Sequence, residues 1–577
     1  MPNLKPNDIQ ILSIGSDTTV IRSRTWNRHK FEIEYALQRG TTANSYLIEA
    51  DKIALLDPPG KTFTEIFISK LQELIDPKTI DYIILGHVNH NRSITLKALL
   101  EIAPQITFVC SSTGASILKE LISDRELKIK TVETSDTLDL GKNHLLQFIP
   151  TPNPRWPDHL CTYDPSSYTL FTDKLFSAHL CHDYVLDEGW TTVDEDRRYF
   201  FDAVMAPNAE HVEKALDQIQ PFQTKLYATG QGPLVFYSLV PLTESYRQWC
   251  QNQKAQEIKV ALIYTSAYGN TATLASAIAL GITKAGVRVE SINCEFADPA
   301  QIEQAVSETD GFIMGSPTIG GHPPTPIQTA LGVVLSTADR TKLAGVFGSY
   351  GWSGEAIDLL EGKFRDAGYK FGFDPIRVKF VANDITLKYC EEAGTDFAQT
   401  LKKAKKARKS QQKIDNSQAA AARAVQAAER IVGPLCVVTA KRGEVRGAML
   451  ADWISQATFS PPGFTVSIAK ERAIESLMHI GDNFVLNILE EGKHQKLMKH
   501  FIKGFAPGED RLIGLDTKEA ENGCTIVNNS LAYLECRVEN RMECGDYWLI
   551  YAIVENGDVL NAKGNTAVYH RKLALSY

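Results

Sequence analysis

No two of the ten cysteines in this 577-residue chain form a C-x-x-C pair, which excludes a thioredoxin-like redox motif. No apolar run is long enough to cross a bilayer, and Met1 to Ser13 lacks the basic-then-apolar order of a secretory signal. A reduced, intracellular, cytoplasmic setting is therefore expected. Net charge is also modest. A net −8 with a hydrophobic fraction of 44% argues for neither nucleic acid nor membrane surface as a partner. A G-x-G-x-x-G fingerprint is missing, so no dinucleotide is expected in a Rossmann crevice. Between Thr265 and Thr271 there is no Lys or Arg, which removes the P-loop lysine and with it a nucleoside triphosphate site.

That basic-free stretch, Thr265-Ser266-Ala267-Tyr268-Gly269-Asn270-Thr271, is the most informative part of the chain. It follows the apolar run Lys259 to Tyr264, which reads as a strand buried on both faces of a parallel sheet. A helix is expected from Asn270, with Leu274, Ile278 and Ile282 at four-residue spacing. Free N–H groups and the positive dipole at such a helix start can hold a phosphate without a cation. Further strands are expected at Val287 to Cys294, Gly311 to Thr318 and Leu343 to Ser349. The third ends in Pro317-Thr318-Ile319-Gly320-Gly321-His322, and the fourth in Ser349-Tyr350-Gly351-Trp352-Ser353-Gly354. Ligands of open parallel sheets bind outside the carboxyl ends of the strands. Phosphate donors would thus lie on one side of the site, with glycines and aromatics for a flat ring on the other. Together the three loops resemble the FMN site of flavodoxin over roughly 258 to 400.

The chain is long enough for three or four domains. One boundary is expected near Gln251 to Lys259, where polar residues interrupt the apolar pattern. Another lies at the basic run Lys402 to Lys413, before the Ala-rich Ala419 to Ala428. The expected division is 1–257, 258–405, a linker at 406–424, and 425–577. In the last block, short glycine-punctuated strands at Pro434 to Ala440, Arg446 to Ala451, Phe464 to Ala469 and Asn483 to Leu489 suit a small β-barrel. Ser455, Gln456 and Thr458 can hydrogen-bond a flavin, and Lys470 and Arg472 can meet its phosphate. With Asn487 and Gly545-Asp546-Tyr547-Trp548 they resemble the FMN-binding split barrel of flavin reductases, although Tyr547 stands where that pattern often has His. Such a domain implies hydride transfer from NAD(P)H to one FMN, then electrons to the other.

Ahead of both blocks, Ile80 to Leu85 is an apolar strand leading into Gly86-His87-Val88-Asn89-His90-Asn91-Arg92. This segment resembles the ligand strand of metallo-β-lactamase-like domains. Arg155-Trp156-Pro157-Asp158, Leu170 to Asp173 and Gly230-Gln231-Gly232-Pro233 look like the later ligand segments. End to end the chain resembles the three-domain flavodiiron proteins of oxygenic phototrophs, an α/β multidomain architecture of αββα sandwich, doubly wound parallel sheet and split barrel. The resemblance implies NAD(P)H oxidation, two FMN groups, a di-iron centre reducing oxygen to water, and head-to-tail dimers.

The ligand positions depart from that family. They read His87, Asn89, Asn91, Arg92, Arg155, Asp173 and Gln231 where the family has His, Glu, Asp, His, His, Asp and His. A guanidinium has no lone pair to give, so no di-iron is expected and Asp173 should pair with one or both arginines. A separate metal site from His90, Cys161, His179, Cys181 and His182 matches no defensible spacing. Two readings follow: an NAD(P)H:oxygen oxidoreductase, or a metal-free partner in a mixed dimer with a ligand-complete relative. A hydrolase, which needs metal-activated water, ranks last.

Overall fold

A computed structural model describes residues 5–26, 39–409 and 430–569. The chain forms two compact units. The first comprises 1–266, 288–309 and 324–338, and the second 267–287, 310–323 and 339–577.

Two sheets face each other in the first unit. The seven-stranded one runs in chain order from Asp8–Ser13 to Lys128–Thr131, and the five-stranded one has the order Leu226–Thr229, Thr169–Asp173, Leu160–Asp164, Leu145–Pro150, Thr137–Asp139. Val20, Tyr46, Ile48, Leu56 and Ile84 pack against Leu146, Phe148, Leu160, Phe171 and Ala228 between them. Outer faces are covered by helices. Phe67, Leu71, Leu96, Leu99 and Leu118 seal one sheet, and Val212, Leu216, Leu242 and Tyr246 the other. The expected αββα sandwich is thus in place, each helix burying one apolar stripe. Lys259–Tyr264 pairs in parallel with Arg288–Asn293 in the same unit. The preceding helix, Leu239–Lys254, runs into the polar stretch expected to break the pattern.

In the second unit Gly311–Pro317 lies parallel to Leu343–Tyr350, which also pairs with Ile376–Lys379. The helix Asn270–Lys284 begins at the expected residue. It crosses Asp384–Lys409 so closely that a Cβ on Gly281 would sit 1.9 Å from the Glu391 carbonyl oxygen. That long helix carries Lys402 to Lys409, so the first half of the basic run is helical. The rest of the expected linker, 410–424, lies outside the described residues. The C-terminal block is an antiparallel sheet of seven strands, Val445–Ala451, Cys436–Arg442, Asn483–Ile488, Ala532–Cys544, Tyr547–Val559, Pro462–Ala469 and Ile454–Phe459 in spatial order. Its longest hairpin, Ala532 to Val559, escaped the sequence reading except at its turn.

Candidate functional site

The first unit gathers its charges where strands end. Ile53–Leu56 and Ile80–Ile84 run in parallel and deliver Asp57 and Gly86-His87 side by side, while the facing strand Thr169–Asp173 delivers Asp173. Gly86 permits the approach, because a Cβ there would fall 2.8 Å from the Asp173 Cβ. Arg92 enters from the helix His90–Ile102, whose start is capped by Asn89, with Oδ1 accepting from Arg92 N at 2.8 Å. Its Nη1 donates to Asp57 Oδ1 at 2.9 Å and to the His87 carbonyl, and its Nη2 lies 3.5 Å from Asp173 Oδ1. The second cation at Asp173 is Lys174, with Nζ 3.5 Å from the same oxygen. All four side chains are buried.

This array divides the protons unequally. Burial, then the neighbouring Asp173 charge, pushes Asp57 up to about 6 against the pull of Arg92. Burial alone would lift Asp173 as well, but Lys174 and then Arg92 hold it well below the usual carboxylate range. Asp173 is therefore the firm anion. Around it, Asp158 takes His87 Nδ1 at 2.7 Å and the Val88 amide at 2.6 Å. His159 Nε2 accepts from Lys174 N at 3.3 Å, so its Nδ1–H faces Thr151 Oγ1 at 2.7 Å. Burial lowers His159 to about 4 and keeps it neutral.

Of the other expected positions, Asn91 is exposed and Arg155 is half-buried, its guanidinium 5.4 Å from the Trp156 ring centre. Gln231 is buried, and its Oε1 meets no partner among the described residues. These donors do not fit a pair of irons. The Oδ1 atoms of Asp57 and Asp173 already serve cations, and neither guanidinium nor ammonium can ligate one. Among the described residues no group of three or more His, Cys, Asp or Glu could hold a metal. The alternative set does not assemble one either: Cys161 packs beside Thr151, His179 Nδ1 bonds Thr41 Oγ1 at 2.7 Å, His182 Nδ1 accepts from Tyr184 N, and His90 is exposed.

The flavodoxin-type loops do come together. Thr271 Oγ1 and Ser349 Oγ share a buried hydrogen bond of 2.8 Å, and Thr318 N donates to the Ser349 carbonyl at 2.9 Å. Gly269, at φ +82°, turns the chain into the Asn270 helix without a side-chain cap, so that helix start keeps amides for a ligand. Tyr268 and Trp352 are 90% and 92% exposed, large rings with little of the protein covering them. Thr318 Oγ1 is buried without a partner among the described residues. An unpaired buried hydroxyl, uncovered aromatics and free helix amides fit a flavin with a phosphate tail. Tyr350 is half-buried against Gly354, Pro317 is buried, Ile319 is exposed, and Gly320 and Gly321 take positive φ values of +59° and +82° in the same loop. In the first unit Thr265, which leads into Ser266, donates to Glu295 Oε1 at 2.5 Å.

In the C-terminal sheet, Ser455 and Gln456 lie exposed on the edge strand Ile454–Phe459, and Thr458 Oγ1 donates to the Pro461 carbonyl at 2.7 Å. Lys470 instead pairs with Glu543, its Nζ 5.3 Å from the Trp548 ring centre. Trp453 and Tyr547 are in ring contact at 4.9 Å. Asn487 is structural, its side chain bonding Val437 O and Val527 N. Sequence reading passed over Asp57, Lys174 and His159, and took in Asp158 only as the end of a ligand segment. Asp57 at a strand's carboxyl end, before Pro58-Pro59-Gly60, was the available signal.

Three family models match the chain: an ODP family beta lactamase over 41–231, flavodoxin over 262–394, and a flavin reductase like domain over 428–574. The chain is 62% identical to "Putative diflavin flavoprotein A 6" of Nostoc sp. strain PCC 7120 over all of both chains. Against "Putative diflavin flavoprotein A 3" of Synechocystis sp. strain PCC 6803 it is 60% identical over 98% of this chain and 94% of that one. A solved structure described as a metal soaked Flv1 flavodiiron core from Synechocystis sp. PCC6803 superposes with a TM-score of 0.69 at 60% identity, covering 69% of this chain and all of that one.

Proposed function

This chain belongs to the diflavin flavoproteins, three-domain members of the flavodiiron family, and from that premise we propose that it carries electrons from NAD(P)H through two FMN sites toward the reduction of oxygen to water, with no di-iron centre of its own. Flavin-based electron transfer is the coarse activity; the donor, the acceptor and the metal content are our reading. FMN, when bound, accepts hydride and can release electrons singly.

The residues have separate tasks in this reading. Amides from Tyr268 to Thr271, with Thr318, hold the first flavin's phosphate and edge, and Tyr350 and Trp352 flank its ring. Ser455, Gln456 and Thr458 hold the second, and Lys470 neutralises its phosphate once it leaves Glu543. NAD(P)H docks transiently on the C-terminal block. The observation that carries the metal-free part is the ion array Asp57–Arg92–Asp173–Lys174, which spends on internal cations the oxygens that a metal would need.

The same array favours a second reading, a metal-free subunit in a mixed dimer with a ligand-complete relative, where this chain's flavin serves the partner's metals. Oxygen uptake with NADPH separates the two. Turnover to water by this chain alone supports the oxidase; turnover that appears only on mixing supports the subunit; peroxide from the chain alone marks bare flavin reacting with oxygen. Protein that stays colourless after addition of FMN would remove both readings.

A further inference from the structure

Within the second unit a set of buried charges lies outside both expected flavin cradles. Lys284, the last residue of the helix Asn270–Lys284, places Nζ 2.5 Å from Glu391 Oε1 on the helix Asp384–Lys409 and 2.7 Å from Glu475 Oε2 of the C-terminal block. On its other side Glu475 Oε1 accepts from Arg541 Nη2 at 2.5 Å. Arg541 Nη1 also reaches Met478 O at 3.2 Å and His479 Nδ1 at 2.8 Å, and its guanidinium carbon lies 4.2 Å from the Trp548 ring centre. Lys388, one turn before Glu391, sits 3.2 Å from Glu391 Oε2 and donates to Ser476 Oγ at 2.6 Å and to the Ala473 carbonyl. Glu391, Glu475 and Arg541 are buried.

Such a chain of alternating charges is costly to bury unless every member is held. Here each one is. Burial would strip Lys284 of its proton, yet the Glu391 and Glu475 carboxylates hold it above the ordinary lysine range. Burial would protonate Glu475, yet Lys284 and then Arg541 keep it far below the ordinary carboxylate range. Both groups stay charged at neutral pH, so the contact is ionic throughout.

The elements that carry these charges lead to the two proposed cradles. The helix ending in Lys284 begins at Asn270 and Thr271, and Trp548 stacks under Arg541 with Lys470 5.3 Å from its ring centre. We propose that Lys284, Glu391, Glu475 and Arg541 form an ionic clamp that fixes the C-terminal block against the two flavodoxin-type helices and positions Trp548 as a wall of the second flavin cradle. The clamp makes Arg541 and Glu475 positioning residues, and it sets the two flavin sites at one separation instead of leaving them to meet by diffusion of a loose domain. Its link to electron transfer rests on the two-FMN reading; its mechanical part does not.

The test compares flavin-loaded full-length protein with Lys284→Met, Lys284→Arg and Glu475→Gln by small-angle scattering, calorimetry and stopped-flow reduction. Lys284→Met should enlarge the radius of gyration, split the joint unfolding of the second unit into two transitions, and slow the transfer between flavins about tenfold or more. Lys284→Arg should restore compactness and rate. Unchanged scattering, a single transition and an unchanged rate in Lys284→Met and Glu475→Gln would overturn the clamp. Should both variants fail to fold, wild-type kinetics decide: a rate between flavins independent of solvent viscosity supports the clamp, and one falling in proportion to viscosity overturns it. A wild type that binds no second flavin defeats the two-FMN reading alone, since scattering and calorimetry still judge the clamp.

Discussion

Replacing Arg92 by Met tests the ion array directly. The guanidinium lies 2.9 Å from Asp57 and 3.5 Å from Asp173, and its loss leaves two buried carboxylates with Lys174 as the remaining described cation at Asp173. Two unit charges about 4 Å apart interact by roughly 4 kcal/mol at an effective dielectric near 20, and breaking one buried pair costs about 3–5 kcal/mol. A loss in that range is expected for the lactamase-like part in urea at pH 8. Asp57 supplies the sign of the pH dependence. Its folded value, already lifted to about 6, rises further without Arg92, so the folded state takes up a proton and the loss shrinks as pH falls toward 6. Arg92→Met with Asp57→Asn should recover much of it, because the uncompensated charge is gone. A loss in Arg92→Met below about 1 kcal/mol, or one that does not vary between pH 6 and pH 8, would refute the reasoning.

Three other outcomes follow from separate observations. Thr318→Val removes a buried hydroxyl with no partner among the described residues, so stability should hold while FMN binding to the flavodoxin-type site weakens by about 1 kcal/mol, several-fold in Kd by fluorescence titration. The clamp should have a pH window. Glu475, depressed, contributes stability above its unfolded value near ~4.3 and loses it as pH falls further; Lys284, raised, contributes below ~10.4 and loses it as pH climbs past that. Joint unfolding in calorimetry is thus expected between those limits, and outside them the stability the clamp adds should decline progressively, as pH moves toward the depressed folded value of Glu475 on the acid side and the raised one of Lys284 on the alkaline side. Finally, Asn89→Glu, Asn91→Asp, Arg92→His, Arg155→His and Gln231→His together should let the pocket take up iron, read by elemental analysis, whereas Arg92→His alone should not.

Local signals made the flavodoxin-type loops legible. Each is a strand, a small-residue turn and a helix in continuous sequence, and the Asn270 helix starts where its apolar spacing places it. Arg92 was legible as an intruder for the same reason, since it sits in a known ligand segment. Lys174 was not, because its importance comes from facing Arg92 across two sheets whose strands are distant in sequence. The clamp was hidden too: Lys284, Glu391, Glu475 and Arg541 each look like ordinary solvated charges until the fold buries them together. The hairpin Ala532 to Val559 was missed because Arg537, Glu539 and Glu555, paired on its exposed face, dilute the alternation that marks a strand.

Metal content measured together with flavin stoichiometry, on protein produced in iron-rich medium, bears most directly on the central claim. The account predicts both flavins and no more than adventitious iron, with Asp57 and Asp173 still bound to Arg92 and Lys174. A full pair of irons in the lactamase-like pocket would contradict it.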